Sequence, residues 1–248
     1  MTAQQPERYL RQIMLPEIAG EGQKKISEGK VLVIGTGGLG SPALLYLAAA
    51  GIGSIGLIDD DTVSESNLNR QILHFTPDLG RKKTESAAEK LGRLNPEISL
   101  TTYPFRLTAE NGESILAQYD FIIDATDNTR TKYLINDLCV KTGKAYSHGA
   151  VRGMQGHTFT YTPGNPCCRC LFGFDMEIPD IPANTPVGVI GSIAGIIGTI
   201  QATEAIKYIT GAGNLLTGRL LQFNALTMES CVTRFATLST CRCAASEK

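Results

Sequence analysis

The stretch Val31-Leu32-Val33-Ile34-Gly35-Thr36-Gly37-Gly38-Leu39-Gly40 decides the fold. Its apolar run, preceded by Lys30 and ended by a glycine, reads as a short strand buried on both faces. The residues from Gly38 to Ala50 are rich in helix formers (Leu39, Ala43, Leu44, Leu45, Leu47, Ala48), and Gly51 stops the run. A glycine turn between strand and helix allows close backbone approach and aims the helix N-terminal N–H groups at an anion, which suits phosphate. Gly35, Gly37, Gly38 and Gly40 are therefore candidate ligand-binding positions.

Working outward, Ser54 to Ile58 reads as a second strand ending on Asp59-Asp60-Asp61. An acidic residue roughly 20 positions after the glycine turn is where a ribose-binding carboxylate belongs, which singles out Asp59. Arg81 to Leu94 reads as a helix, Ile98 to Tyr103 and Phe121 to Ile123 as strands, and Thr129 to Thr142 as a helix closed by Gly143. Another strand begins at Ala145 to Ser147. Alternating strands and helices predict a parallel sheet covered by helices. From Met154 the pattern changes: Gln155 to Tyr161 alternates like a half-exposed strand, and a proline-punctuated loop spans Thr162 to Pro186. An apolar helix then ends near Ile209, and Arg219 to Leu226 and Cys231 to Leu238 read as a terminal strand pair. The expectation is an α/β chain with a Rossmann-like, doubly wound, mostly parallel sheet, a C-terminal antiparallel elaboration and a zinc knuckle. It forms one domain over 1–248, comprising a helical arm (1–29), a nucleotide-binding core (30–150) and the long loop, knuckle, apolar helix and terminal strands (151–248).

The composition is that of a folded protein: 248 residues, 42% hydrophobic and 19% charged, with no low-complexity tract. Lys and Arg number 23 against 24 Asp and Glu, a net charge of −1, which supplies no global positive field for nucleic acid. Met1 to Arg11 is polar with no apolar core, unlike a secretory signal, so a cytoplasmic location is expected. Pro186 to Thr203 carries no charge and holds Gly191 and Gly195 in a G-x-x-x-G spacing, as a membrane span would. Its glycines, and Gln201, Glu204 and Lys207 on the following turns, favour a helix buried against protein instead.

The chemistry is carried by polar residues expected at the carboxyl edge of the sheet, where such folds bind ligands. Ser66-Asn67-Leu68-Asn69-Arg70-Gln71 follows the acidic strand end and places Arg70 to reach a phosphate. Lys82 and Lys83 fall in the first turn of a helix, where positive charge opposes the dipole unless an anion lies near. Asp127, after the fourth strand, is placed to hold Mg²⁺ on phosphates, and Asn128 suits a helix N-cap. Together these fit a triphosphate. An NAD(P)-dependent oxidoreductase would share the glycine turn and Asp59 but leave Arg70 and Lys83 without a task.

The seven cysteines are Cys139, Cys167, Cys168, Cys170, Cys231, Cys241 and Cys243, an odd, clustered set that points to metal or thiol chemistry rather than disulfides. Cys167 and Cys170 have C-x-x-C spacing, and Cys241 and Cys243 could complete a tetrahedral Zn²⁺ site, with Cys168 a spare ligand. Buried packing is expected of Cys139 and Cys231.

With these residues in view, the chain resembles the ThiF/MoeB/HesA family of ubiquitin-activating-enzyme-like adenylyltransferases. The resemblance lies in Arg8 to Gln12, Gly35 to Gly40, Asp59 to Gln71, Lys83, Asp127-Asn128, Cys167 to Cys170 and Gln201 to Lys207, in order along nearly the whole chain. It implies ATP-dependent adenylation of the C-terminal Gly-Gly carboxylate of a ubiquitin-like sulfur-carrier protein, ThiS- or MoaD-like, with release of pyrophosphate. Gly38, Asp59, Ser66, Asn67, Leu68, Asn69, Arg70, Lys83, Asp127 and Asn128 would contact ATP, with Mg²⁺ on Asp127. Arg11 would reach a partner subunit's site in a homodimer, with the helix from Val187 at the interface, and Arg11, Arg70, Lys83 and Asp127 would carry the catalysis. No rhodanese-like domain is seen, so a separate protein would donate sulfur. A non-catalytic scaffold for a ubiquitin-like protein, and a relative that cyclises threonylcarbamoyl groups on tRNA, share parts of the pattern. The near-zero charge and the cysteines tilt against the latter. Ala183-Asn184-Thr185-Pro186 stands where family members with a crossover-loop cysteine have it, so no persistent thioester is expected.

Overall fold

The computed structural model describes residues 5–173 and 188–243. The N-terminal arm comprises α1 (Gln5–Arg8), α2 (Leu10–Ile13) and α3 (Ala19–Glu28). The core runs β1 (Lys30–Ile34), α4 (Gly40–Ala50), β2 (Ser54–Ile58), α5 (Lys83–Leu94), β3 (Ser99–Tyr103), α6 (Ala109–Leu116), β4 (Phe121–Asp124), α7 (Thr129–Thr142) and β5 (Ala145–Arg152). It continues through β6 (Gln155–Tyr161), α8 (Cys168–Phe172), α9 (Gly191–Thr210), β7 (Arg219–Asn224) and β8 (Glu229–Arg234).

All eight strands form one sheet in the order β3-β2-β1-β4-β5-β6-β7-β8. Strands β1 to β5 pair in parallel, and β6, β7 and β8 add antiparallel. The parallel core with its antiparallel extension is the expected α/β architecture. Because side chains alternate along a strand, β1 feeds both layers. Val31 and Val33 join α3, α4, α5 and α9 on one face, and Leu32 and Ile34 join α6 and α7 on the other. The chain winds outward from β1 through β2 and β3, then reverses through β4 and β5. This leaves the switch point, and the ligand crevice it opens, between β1 and β4.

Several boundaries shift from expectation. Gly38 and Leu39 belong to the turn rather than the helix, and α5 starts at Lys83 with Lys82 as its cap. Helix α6 was not expected; Thr108 Oγ1 caps it by accepting from Asn111 N at 3.4 Å. The apolar helix begins at Gly191, not Val187. Before it, Gly188 to Ile190 runs beside the β5–β6 turn, with Gly153 N donating to Gly188 O at 2.8 Å and Ile190 N to Gly153 O at 3.1 Å. Its glycines serve close packing inside the molecule: a Cβ on Gly198 would stand 2.2 Å from Leu39 O, so α9 lies directly on the start of α4. No described helix is long and apolar enough to cross a membrane. Ala183 to Pro186 lies outside the described residues. Cys139 is buried as expected, but Cys231 is exposed, because β8 is the sheet's edge strand and nothing described covers either face.

Candidate functional site

A cavity of about 820 Å³ opens at the carboxyl ends of β1, β2, β4 and β5. Gly35, Gly37 and Gly38 form its floor. Gly35 has φ +95°, and a Cβ there would stand 2.7 Å from Ala125 O, so only glycine lets β1 leave the switch point this close to β4. Gly40 lies outside the lining, in the first turn of α4 against Gly35.

Asp59 directly follows β2 and fixes this turn. Its Oδ2 accepts Thr36 N at 2.8 Å and Thr36 Oγ1 at 2.9 Å, and its Oδ1 accepts Asp61 N at 3.0 Å. A carboxylate oxygen accepts more than one hydrogen bond, so the group keeps capacity for ribose hydroxyls. Arg70 and Asn69 line the cavity. Arg70 Nη1 donates to Ser66 O at 2.7 Å and Asn69 Oδ1 at 3.0 Å, a resting place on its own loop. Ser66, Asn67 and Leu68 do not line the cavity; they build the turn that presents Arg70, and Asn67 Oδ1 accepts Ser64 N at 3.3 Å.

Lys83, the first residue of α5, is 5% exposed, and its Nζ donates to Asp61 Oδ2 at 2.9 Å inside the cavity. Asp127 is exposed on the opposite wall, and Asn128 Oδ1 accepts Thr131 N at 2.9 Å as the N-cap of α7. Asp59, Asn69, Arg70, Lys83, Asp127 and Asn128 thus meet in one space. Arg11 is exposed on α2 and does not line it.

Behind the cavity lies a buried ionic cluster that local sequence reading missed. Asp124, fully buried, receives Lys132 Nζ at 3.2 Å on each oxygen, Thr126 Oγ1 at 2.7 Å and His148 Nδ1 at 3.1 Å. Burial opposes its charge, but Lys132 and His148 outweigh it and hold the carboxyl down at about 2. Lys132 also donates to Gly149 O at 2.5 Å, which ties β4, α7 and β5 together beneath Asp127. His148 stacks on His157, with the Nε2 atoms 3.4 Å apart. Burial lowers both histidines, and His157 is brought to about 4. The only sequence signal was an Asp eight residues before a Lys, spanning a strand end and a helix turn.

The cysteines assemble as the spacing suggested. Cys167 Sγ is 3.4 Å from Cys241 Sγ, Cys170 Sγ is 3.4 Å from Cys243 Sγ, and all four sulfurs lie within 4.8 Å of one another. Zinc–sulfur bonds of about 2.3 Å in a tetrahedron require sulfurs about 3.8 Å apart, so the set fits Zn²⁺. Burial pushes the Cys167 thiol up to about 12, and a bound cation would hold it as the thiolate that coordination needs. Cys168 is not in the cluster; it packs in the core, and its N–H donates to Asn136 Oδ1 at 2.9 Å.

Comparison with known proteins gives consistent matches. The model of the ThiF family matches residues 9–245. The chain is 42% identical over 228 residues to the SAMP-activating enzyme E1 of Haloferax volcanii, covering 92% of this chain and 84% of that one. It is 40% identical over 231 residues to the sulfur carrier protein adenylyltransferase of Thermus thermophilus, covering 91% and 85%. Against the adenylyltransferase and sulfurtransferase MOCS3 of Arabidopsis thaliana it is 45% identical over 220 residues, and there it spans only 47% of the relative's length. The crystal structure of E. coli MccB with MccA-N7isoASN superposes with a TM-score of 0.85 over 96% of this chain and 74% of that one, at 22% identity, a likeness of fold.

Proposed function

The chain belongs to the ThiF family and is an adenylyltransferase, and on that premise we propose that it adenylates the C-terminal glycine carboxylate of a small ubiquitin-like sulfur carrier. The observation that carries this reading is the convergence of Asp59, Arg70, Lys83 and Asp127 on one cavity at the switch point of the sheet.

The reaction joins a carrier carboxylate oxygen to the α-phosphorus of ATP and breaks the bond to the β-phosphate bridging oxygen, giving acyl-adenylate and pyrophosphate. Both reactants are anions, so catalysis needs positive charge and alignment more than proton transfer. The glycine turn offers backbone N–H groups to phosphate, and Asp59 takes the ribose. Arg70, leaving Ser66 and Asn69, and Lys83, leaving Asp61, neutralise the phosphate chain. Asp127, exposed and without an intramolecular ion pair among the described residues, is the carboxylate to hold Mg²⁺, which would supply further charge neutralisation. Arg11 serves a second copy's cavity in a homodimer. The four-cysteine site holds Zn²⁺ and fastens the C-terminal segment to α8. The enzyme works in the cytoplasm, receives sulfur through a separate donor protein, and serves thiamine or molybdopterin sulfur transfer.

The test is ATP–pyrophosphate exchange by the purified protein with each Gly-Gly carrier of the same genome. Exchange that requires one carrier and is lost in Arg70→Ala and Asp127→Ala supports adenylation and selects the pathway. Carrier binding without exchange would make the chain a scaffold, and nicotinamide binding would return it to the oxidoreductases. A carrier adduct that survives denaturing gels and is released by thiol would contradict adenylation without a persistent thioester.

A further inference from the structure

Gln71, beside Arg70, has a side chain whose amide makes no hydrogen bond among the described residues, although the residue is only 6% exposed. Its Oε1 is sealed in without a partner. The side chain lies flat on the glycine turn: a Cβ on Gly37 would stand 3.3 Å from Gln71 Nε2, and Gln71 and Gly37 both line the cavity. Its position is fixed from both sides. Gln71 N donates to Asn67 O at 2.9 Å, His74 N donates to Gln71 O at 3.0 Å, and His74 Nε2 lies 3.0 Å from Thr36 O in the glycine turn itself.

A buried amide with no partner is costly, and a leucine would cover Gly37 without that cost. What an amide offers and leucine lacks is a donor held beside the glycine turn. With Oε1 buried, Nε2 is the end left for the cavity, where the turn, Arg70 and Lys83 already gather donors. An anionic oxygen is the acceptor that this set fits.

We infer that Gln71 is a further nucleotide-binding residue, whose side-chain Nε2–H donates to the phosphate chain of ATP next to Arg70. This rests on the ATP-dependent reading above. The bond would also fix the amide orientation, since a flip would turn Oε1 toward the phosphate oxygens.

The experiment is calorimetric titration of the full chain with Mg²⁺ and α,β-methylene-ATP, comparing wild type, Gln71→Leu, Gln71→Glu and Arg70→Ala, with thermal melting of each. Loss of one hydrogen bond to a charged group predicts about tenfold weaker binding by Gln71→Leu, without a lower Tm because the orphan oxygen is gone. Gln71→Glu, nearly isosteric, should bind more weakly still because it sets an anion against the phosphates. A purely structural role would move melting and leave affinity intact. Binding within about twofold of wild type by either folded variant overturns the inference. Failure of the wild type itself to bind the analogue overturns the ATP reading, and the inference with it.

Discussion

Lys83 Nζ stands 2.9 Å from Asp61 Oδ2, pairing an ammonium on a side chain only 6% exposed with a carboxylate on one 64% exposed. The lysine is therefore held ready at the cavity by a partner that water also solvates, and an incoming phosphate can replace that partner. Lys83→Ala should cut pyrophosphate exchange by about a hundredfold or more, as loss of a phosphate-neutralising cation does. Asp61→Asn should leave exchange within about fivefold of wild type and stability within about 1 kcal/mol, because an ion pair with one solvated member contributes little. Exchange kinetics and thermal melting of the two variants check both expectations; a larger loss in Asp61→Asn would assign Asp61 a direct role.

At Gly40 the glycine turn is intolerant of even one methyl group. A Cβ on Gly40 would stand 2.0 Å from Gly35 O, a clash with backbone that no rotamer can relieve. Gly40→Ala should therefore destabilise the chain by several kcal/mol, in the range of severe overpacking and strain, and deform the cavity floor. Gly143→Ala provides the contrast: its φ is +64°, but nothing lies within 4 Å of the added Cβ, so it bears only the backbone cost of about 1–2 kcal/mol. Denaturant melts that rank the two alike would remove the clash argument.

The four-sulfur cluster predicts one zinc per chain by metal analysis of the purified protein. Zinc binding to such sites is folding free energy, so removal by a strong chelator should lower Tm and release the C-terminal segment that carries Cys241 and Cys243. Cys167→Ser should lose the metal, whereas Cys168→Ser should keep it, because Cys168 lies outside the cluster. Equal metal loss in both would mean that Cys168 exchanges into the site.

Much of this was legible because it is local. A strand, glycine turn and helix, and an acid at the next strand end, are written within thirty residues, and parallel pairing follows from their alternation. The gathering of Cys167, Cys170, Cys241 and Cys243 was legible from spacing, although the two pairs lie 73 or 74 residues apart. What stayed hidden depends on contacts between distant segments. Asp124, Lys132, His148 and His157 lie on four elements, and the pairing of β4 with β5 and of β5 with β6, with α7 packed on β5, brings them together. The late start of α9 depends on the bridge between Gly153 and Val189, which no local propensity encodes. The exposure of Cys231 follows from β8 being the last strand of the sheet, a property of topology rather than of the strand's own residues.

That hidden cluster makes stability pH-dependent in a definite direction. His157 faces His148 and, through it, Asp124 and Lys132, with Phe159 and Phe172 packed on the rings. Its pKa falls from 6.5 to about 4, chiefly through burial, with His148 and Lys132 adding to the shift. Above about pH 6.5 neither the folded nor the unfolded chain protonates this imidazole, and its contribution is fully present. As the pH falls from there toward 4 the unfolded chain takes up a proton that the folded chain refuses, so stability drops by up to about 3 kcal/mol. Asp124, whose folded carboxyl lies near 2 against 3.8 in the unfolded chain, adds only a small loss at the acid end of this window, because the unfolded carboxyl begins to protonate below about pH 5. Denaturant melts between pH 7 and 4.5 should show the loss, and His157→Gln, which keeps a polar side chain without a titrating group, should make the profile shallower, with the remainder coming from His148 and His74, whose imidazoles burial also lowers. An unchanged slope in His157→Gln would transfer the effect to His148, whose own pKa burial also lowers.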